Sequence, residues 1–461
     1  MRGILLRGPR AIRSLFTEAA ASSRPPRIAA AEPSRNHTCV RVQFAPTPNS
    51  PISSSSSSAY QVELHRDWIT DNSLEHRDAQ TSQKTRSIVE VAATREITHV
   101  AVSDNDGDTL TVTFSDGTCN TLSGDWLASM FISPMDDTTN TRNDPFDPLK
   151  TAIRPKDPVP TISYDAIMSS ELGAYDWTRT ILEKGLCIVI DAPAAPEVVK
   201  GAASRIAPPL NTLYGDSFDV RSEPNPINIA YTDKALRPHM DLAYYESPPG
   251  LQFLHCVQFD EDVKGGDSIF YDTFVLAELL RERDSEAFNV LSRIPATFQK
   301  DHLDRDDPAQ MFYRRPHLSL NSCGDVVAVF WSPAFEGPLQ LDDYTAQALG
   351  FADKLDAMDA YYCAYRAFAG LMEDPEVMDQ WKIKFRSEPG TILAFNQRRM
   401  LHGRDAFSSQ DRGVRWLQGC YVCIDAFLNR YRTLRLKFAR GESGILRGQD
   451  AAIRAGNSCL R

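Results

Sequence analysis

Residues 236–272 read LRPHMDLAYYESPPGLQFLHCVQFDEDVKGGDSIFYD and hold two features, one of fold and one of chemistry. Two apolar runs, LQFLHCVQF and SIFYD, are bounded by Pro, Gly and Asp, which is the pattern of buried strands between turns. Ahead of them, His239 and Asp241 are separated by one residue, a spacing that can place an imidazole and a carboxylate on one metal ion. His-x-Asp occurs four times in this chain, so the spacing alone does not identify a metal site. The sequence around each pair must show which of them could bind a metal.

Similar apolar runs continue along the chain and predict the fold class. Further strands are expected at LCIVID, VVAVFW, TILAF and WLQGCYVCI, and a helix over 164–185 is expected to end at Gly185 as its C-cap. Many short strands with few helices predict a mainly β fold with flanking helices, whose core is an antiparallel jelly roll, or double-stranded β-helix. A second helix over 354–374 carries an apolar stripe that we interpret as core packing: Leu355, Met358, Tyr362, Tyr365 and Met372.

Composition divides the chain into segments. The first 35 residues contain seven Arg, no Lys and two acidic residues, which is typical of a mitochondrial transit segment; the alternative is a disordered leader on a cytoplasmic protein. A run of six serines followed by mixed charges predicts a disordered linker. Alternating residues in HVAVSDNDGDTLTVTFSDGTCNTL predict antiparallel strands. The predicted segments are a transit segment 1–35, a linker 36–85, a small N-terminal β-rich domain 86–150, a jelly-roll domain 151–445 and a flexible tail 446–461.

Charge and cysteine usage exclude several partners. The net charge of −11 argues against a nucleic acid or an anionic membrane surface, and no apolar run reaches the ~18 residues of a membrane helix. The nine dispersed cysteines do not form a disulfide framework. Cys420 and Cys423 lack the second Cys pair of a zinc ribbon, and we interpret them as thiols of a core strand. Neither charge nor cysteine usage therefore points to a nucleic acid, a membrane or a zinc ribbon.

A facial triad of two His and one carboxylate leaves three coordination positions of Fe(II) open for a co-substrate and dioxygen. His402 supplies the distant second imidazole, since it follows the apolar run TILAF in TILAFNQRRMLHGRDAF. Arg415 then enters the strand RWLQGCYVCI, where its guanidinium could bind a dicarboxylate through two hydrogen bonds. His239, Asp241 and His402 are therefore the predicted iron ligands.

The other His-x-Asp pairs must be weighed against this set. His302 and Asp304 are also followed by an arginine, Arg315, but FQKDHLDRDDPAQ is charged and contains Pro, so we interpret it as a solvated loop. The pairs beginning at His65 and His76 fall in the predicted linker, which could not hold ligands in a fixed geometry. We therefore expect none of these three pairs to bind metal.

The order His-x-Asp, PPG, LHC, GGDS, LHGR and then Arg resembles the γ-butyrobetaine and trimethyllysine hydroxylases, which are 2-oxoglutarate-dependent dioxygenases of the taurine dioxygenase-like superfamily. The resemblance implies that Fe(II) and 2-oxoglutarate are required, that a small organic substrate is hydroxylated, and that succinate and CO₂ are released. It assigns the iron to His239, Asp241 and His402, the distal carboxylate of 2-oxoglutarate to Arg415, and a second contact with this co-substrate to Ser268. Ascorbate is a candidate reductant, and a homodimer would suit the family.

Two departures from the family pattern carry expectations of their own. The family's N-terminal zinc cysteines follow a Trp-Leu pair, whereas this chain reads DWLASMFISPMDD there, so we predict no zinc. Ahead of the second His, the usual Asp-Asn-x-Arg is Asn396-Gln397-Arg398-Arg399, which keeps an arginine and loses the carboxylate. The loss is expected to alter how the iron ligand is oriented.

The resemblance also implies a substrate pocket. Tyr214, Phe218 and Tyr421 match aromatic positions that surround a trimethylammonium group, while Leu242 replaces a fourth ring. Asn228 and Tyr231 match positions that hold the substrate's carboxylate. We therefore expect a cationic or a bulkier apolar carboxylate as substrate, with slow or no hydroxylation of γ-butyrobetaine. The alternatives are a dioxygenase of the same superfamily acting on a non-betaine secondary metabolite, and a catalytically inactive jelly-roll binding module.

Overall fold

The computed structural model describes residues 27–45, 60–78, 80–81, 83–90, 95–103, 109–131, 148–221, 230, 232–303, 308–321, 324–409 and 413–438. The described residues form two compact units, one ending with Phe131 and the other beginning with Pro148. The predicted boundary at residue 150 lies close to this division. In these residues, no helix is long and apolar enough to cross a membrane.

The N-terminal unit contains two antiparallel sheets of three strands each, ordered β1-β2-β3 and β4-β5-β6. Apolar residues alternate along β2, β3 and β5, and Val40, Val42, Leu110 and Val112 meet in one fully buried core. Its strands are β1 Ile28–Ser34, β2 Cys39–Phe44, β3 Tyr60–His65, β4 Ile97–Ser103, β5 Thr109–Phe114 and β6 Cys119–Ser123, and its helices are α1 Arg66–Asn72 and α2 Gly124–Phe131.

Two sequence-based boundaries in this unit are wrong. The segment 36–85, predicted as a disordered linker, contributes β2, β3 and α1, because CVRVQF and YQVELH alternate in polarity and pair in register. A leader reaching residue 35 would also remove β1, which pairs with β2. His65 is ordered as well, since its ring accepts a hydrogen bond from Asp67 N and caps α1. The rest of the leader, residues 1–26, and the predicted tail lie outside the described residues.

The C-terminal unit is built on a six-stranded sheet, ordered β7-β8-β19-β11-β22-β9, and a four-stranded sheet, ordered β10-β20-β13-β18. Side chains of both sheets, including Leu254, Phe270, Phe395 and Met400, share one core. The strands are β7 Thr161–Ser163, β8 Leu186–Ile190, β9 Phe218–Val220, β10 Leu236–His239, β11 Leu251–Phe259, β12 Val263–Gly265, β13 Ser268–Asp272, β14 Ala296–His302, β15 Ala309–Arg315, β16 Leu318–Leu320, β17 Val326–Val329, β18 Ile383–Phe385, β19 Ile392–Asn396, β20 Met400–Arg404, β21 Phe407–Ser409 and β22 Arg415–Val422.

One group of helices covers the outer face of the six-stranded sheet, and a second group packs against β16 and β17. They are α3 Pro148–Thr151, α4 Tyr164–Ser169, α5 Glu171–Lys184, α6 Val198–Ala203, α7 Thr273–Arg283, α8 Ser285–Arg293, α9 Asp343–Ala348, α10 Lys354–Leu371, α11 Pro375–Trp381 and α12 Ile424–Phe438. Strand β11 is apolar almost throughout because Phe253 faces α5 and α12, while Leu254 faces the other sheet. The predicted mainly β fold with flanking helices is confirmed.

The predicted strands are found where the apolar runs placed them, and the first predicted helix ends at Gly185, whose φ is +78°. This helix is interrupted at Ser170, which caps α5 through a hydrogen bond from Gly173 N. The apolar stripe predicted for α10 is wrong at two positions, since Leu355 and Tyr362 are exposed. The residues that α10 buries are Ala357, Tyr361, Ala364, Phe368 and Leu371.

Candidate functional site

Strands β10 and β20 bring two imidazole rings next to each other, tilted by 39°. His239 and His402 are register partners in this antiparallel pair, and their ring centroids are 4.4 Å apart. Asp241 follows two residues after the end of β10 and lies between them, with Oδ1 3.4 Å from His239 Nε2 and Oδ2 3.8 Å from His402 Nε2. One ligand atom of each residue lies within 4.8 Å of the others. In the described residues, no other cluster of His, Cys, Asp or Glu meets this criterion for a metal site.

A sharp turn after β10 places the carboxylate. Leu242 has a φ of +58°, a conformation that costs a residue with a Cβ about 1–2 kcal/mol, and its side chain is buried. Hydrogen bonds from Met240 N to Trp331 O and from Asp241 N to the Gln397 side chain hold the turn. The strained residue thus lies next to Asp241, where it aims the carboxylate at the two imidazoles.

The Asp241 carboxylate is held by two further donors. The Gln252 amide and the Tyr421 hydroxyl both donate to Oδ2, at 2.7 and 2.8 Å. Burial alone would raise the pKa of Asp241, but its hydrogen bonds and the neighbouring His239 and His402 hold it well below the usual value. The group is therefore an anion whose orientation is fixed before anything binds to it.

The imidazoles are prepared as ligands in different ways. His239 Nδ1 lies 2.8 Å from Arg237 O, and donating its proton there leaves the Nε2 lone pair facing Asp241. Burial, with the adjacent His239, lowers the pKa of His402 to about 4, so its ring is neutral. Two imidazoles and one carboxylate are the donor set that suits Fe(II) with open positions, and each ring binds a metal in its neutral form. The residues present therefore fit the metal.

Arg415 is the first residue of β22, and its side chain lies against Gly266, the residue that follows β12. Its Nε donates to Gly266 O at 3.3 Å, and a Cβ on Gly266 would lie only 3.1 Å from that Nε. Burial, with the nearby Arg404, lowers the pKa of Arg415 to about 9, which keeps the guanidinium charged at neutral pH. No described residue accepts a hydrogen bond from its terminal nitrogens. Ser268 is buried beside it, with Oγ 3.2 Å from Ser387 Oγ.

These groups share one pocket. The three candidate ligands, Arg415 and Ser268 line it, together with the predicted aromatic residues Tyr214, Phe218 and Tyr421. The Phe218 ring stacks on Tyr421 at 5.0 Å between centroids and lies 6.3 Å from Tyr214. Leu242 also lines the pocket, as the aliphatic replacement for a fourth ring. Asn228 and Tyr231 lie outside the described residues.

His302 does not line this pocket, although the solvated loop predicted around it is wrong for the described residues. The segment forms the β14–β15 hairpin, in which His302 ends one strand and Arg315 ends the other. Arg315 donates to the carbonyls of Tyr245 and Glu246, so its guanidinium is used structurally. Alternating polar and apolar residues in AQMFYRR carried a strand signal that the charges of the connecting segment obscured.

The altered sequence before His402 has structural roles. Gln397 supports the backbone of Asp241, whereas Arg399 makes a buried two-point ion pair with Asp272, at 2.7 and 3.0 Å. Among the described residues, none hydrogen-bonds His402 Nδ1, which is buried. The chain thus has Asn396 where the family motif has a carboxylate, and in the described part of the chain His402 Nδ1 has no hydrogen-bond partner to orient the ring.

Sequence reasoning missed several pocket residues. Gln252 is a polar residue inside the buried strand β11, and that mismatch could have identified it. Tyr244 and Arg404 also line the pocket. Arg404 donates to the carbonyls of Ala230, Thr232 and Lys234 and so holds the chain that precedes β10. Arg404 is the last residue of the LHGR motif, but no role was predicted for its side chain.

The family model "Taurine catabolism dioxygenase TauD, TfdA family" matches residues 145–421, more than half of the chain and all the candidate ligands. The chain belongs to the TauD/TfdA family. The resemblance inferred from its motifs is confirmed at this level.

Named relatives of this TauD/TfdA protein include three dioxygenases. Dioxygenase str8 of Strobilurus tenacellus is 34% identical over 231 residues, which cover 49% of each chain. The γ-butyrobetaine dioxygenase of Pseudomonas sp. (strain AK-1) is 32% identical over 277 residues, covering 60% of this chain and 66% of the relative. The trimethyllysine dioxygenase of Neurospora crassa is 29% identical, covering 59% of this chain and 61% of the relative. The matches thus span between half and two thirds of these relatives.

Proposed function

We propose that this protein is an Fe(II)- and 2-oxoglutarate-dependent dioxygenase that hydroxylates a small organic substrate. The observation that supports it most strongly is the convergence of His239, Asp241 and His402 at the wall of a pocket that also contains Arg415. The pair of sheets that carries them is proposed to be the double-stranded β-helix of the family. Zinc is not part of the proposal.

In this proposal the two imidazoles and the Asp241 carboxylate hold Fe(II) through one face. Bound there, the iron would let dioxygen oxidise 2-oxoglutarate to succinate and CO₂ and a substrate C–H bond to an alcohol, with one oxygen atom going into succinate and the other into the alcohol. Gln252 and Tyr421 keep Asp241 ionised and oriented, so little reorganisation accompanies metal binding. Arg415 offers two N–H donors in the planar arrangement that a carboxylate accepts, and Ser268 adds a hydroxyl beside it. Burial of these groups excludes water from the reacting atoms.

The substrate class is proposed from the relatives and the pocket together. Relatives named γ-butyrobetaine and trimethyllysine dioxygenase suggest a substrate with a carboxylate, whereas Leu242 removes one ring from the aromatic set. The test is succinate release from 2-oxoglutarate by the iron-loaded full chain over a panel of betaines, amino acids and apolar carboxylic acids. Stimulation by at least one compound supports the proposal. Binding of a compound without succinate release would favour the inactive binding module.

A first prediction concerns the hydroxyl that holds Asp241. Tyr421→Phe keeps the ring but removes one of the two donors to Oδ2, and loss of such an orienting bond lowers metal affinity about tenfold. Equilibrium dialysis of Fe(II) under anaerobic conditions measures the effect. Tyr431→Phe is the matched control, because this buried tyrosine stacks on Tyr175 in a different core. Equal losses in both variants would mean that the Tyr421 hydroxyl has no specific role.

We also propose that the segment before β1 directs mitochondrial import. Five of the seven arginines of the predicted leader lie in residues 1–26, which contain no lysine. Fusion of residues 1–27 to a fluorescent protein tests this proposal. Co-localisation with a mitochondrial marker is expected, and a cytoplasmic signal would reject it.

A further inference from the structure

A lysine with no carboxylate partner among the described residues lies behind the aromatic end of the pocket, which is the end lined by Tyr214, Phe218 and Tyr421. Lys300 belongs to β14, and only 6% of its surface is exposed. Its Nζ donates to the Tyr214 hydroxyl at 2.6 Å and lies 5.6 Å from the centre of the Phe335 ring. Both Tyr214 and Phe335 line the pocket. Among the described residues, Lys300 makes no ion pair. A cation is therefore buried and hydrogen-bonded to a residue that lines the pocket.

This contact changes what the aromatic end can bind. A trimethylammonium group is attracted by the electron-rich faces of aromatic rings, and Tyr214 is one of the five Tyr and Phe residues that line the pocket. The ammonium of Lys300 draws electron density from the Tyr214 phenol and repels a second cation in the same low-dielectric space. The Tyr214 hydroxyl oxygen accepts the hydrogen bond from the Lys300 ammonium, and this contact couples the buried charge to the ring.

We propose that Lys300 sets the charge preference of the pocket, so that the group bound near Tyr214 is uncharged or anionic and a quaternary ammonium is excluded. Of the two substrate classes expected from the sequence, this selects the apolar carboxylate over the cation. The inference rests on the proposed function for the orientation of the substrate in the pocket. A charge in the protein can exclude a ligand of the same sign, and this kind of specificity needs no additional attractive contact with the preferred substrate.

Two probes of nearly equal shape test the charge alone. γ-Butyrobetaine carries a trimethylammonium group, and 5,5-dimethylhexanoate carries a neutral tert-butyl group on the same chain. We expect calorimetry on the full chain, with Fe(II) and saturating 2-oxoglutarate but no oxygen, to give at least about tenfold tighter binding of the neutral probe. Tighter binding of γ-butyrobetaine, equal affinities, or no binding of either probe would overturn the charge preference.

A pair of variants attributes the preference to the lysine. Lys300→Met removes the charge at similar length and should improve γ-butyrobetaine binding about tenfold relative to the neutral probe, while Lys300→Arg keeps the charge and should retain the wild-type ratio. An unchanged ratio in Lys300→Met would overturn the assignment to Lys300. If 2-oxoglutarate itself fails to bind the iron-loaded wild type, the proposed function fails; if it binds and only the probe ratio is wrong, the charge inference fails alone.

Discussion

Asp241→Ala and His402→Ala are each expected to abolish Fe(II)-dependent succinate formation. Asp241 is the only anion of the candidate ligand group, and His402 supplies its neutral imidazole from the facing strand. With two ligands left, the remaining donors cannot hold the ion on one face of its coordination sphere. Iron content after anaerobic loading and desalting should fall to the background of unloaded protein in both variants, which gives a measurement independent of turnover.

His302→Ala is the control for these losses. His302 belongs to a His-x-Asp pair of the same spacing but ends β14 and contributes no atom to the ligand group. The variant should retain iron and turnover close to wild type. If His302→Ala lost as much iron as His402→Ala, the assignment of the distal ligand would be wrong.

Replacement of Arg415 should raise the KM for 2-oxoglutarate while leaving iron binding intact. A charge-assisted pair of this kind contributes about 1.5–3 kcal/mol, so Arg415→Lys, which loses the two-point geometry, should raise the KM about tenfold or more. Arg415→Met also removes the charge, and about 3 kcal/mol corresponds to an increase of about a hundredfold. The measurement is initial succinate release against 2-oxoglutarate concentration.

Arg386→Lys is a matched control for the arginine. Arg386 also lies over the Phe259 ring, but it donates to the carbonyls of Asp260, Val263 and Gly265 and does not line the pocket. Its replacement should leave the KM for 2-oxoglutarate unchanged. A normal KM in Arg415→Met would remove Arg415 from the co-substrate site.

Much of the C-terminal unit could be predicted from sequence because local pattern and burial agree there. The run LQFLHCVQF is apolar since β11 is covered on both faces, and Gly185 ends a helix because its φ of +78° suits glycine. The candidate ligands could also be chosen from sequence because His239 precedes and His402 follows a predicted strand, although β10 and β20, which carry them, were not predicted. Because His239 and His402 are register partners in an antiparallel pair, their side chains lie side by side.

Other features depend on tertiary contacts that no local pattern reports. In α10, Tyr361 and Tyr362 are equally apolar in sequence, and Tyr361 is the buried one because its hydroxyl lies 2.8 Å from buried His317 Nε2. The strands β2 and β3 were missed because a serine run and charged residues surround them. Lys300 was missed because a lysine in a charged segment is usually solvated, and only the packing of β14 buries it beside Tyr214.

Whether the three ligands and Arg415 form a single composite site can be measured by titrating 2-oxoglutarate into the full chain under anaerobic conditions, with and without Fe(II). The proposed arrangement predicts that Fe(II) strengthens 2-oxoglutarate binding at least about tenfold in the wild type, because the co-substrate then gains the metal in addition to Arg415. It also predicts that Asp241→Ala removes this gain and keeps the weaker, metal-independent binding. An affinity for 2-oxoglutarate that is the same with and without Fe(II) in the wild type would contradict the account.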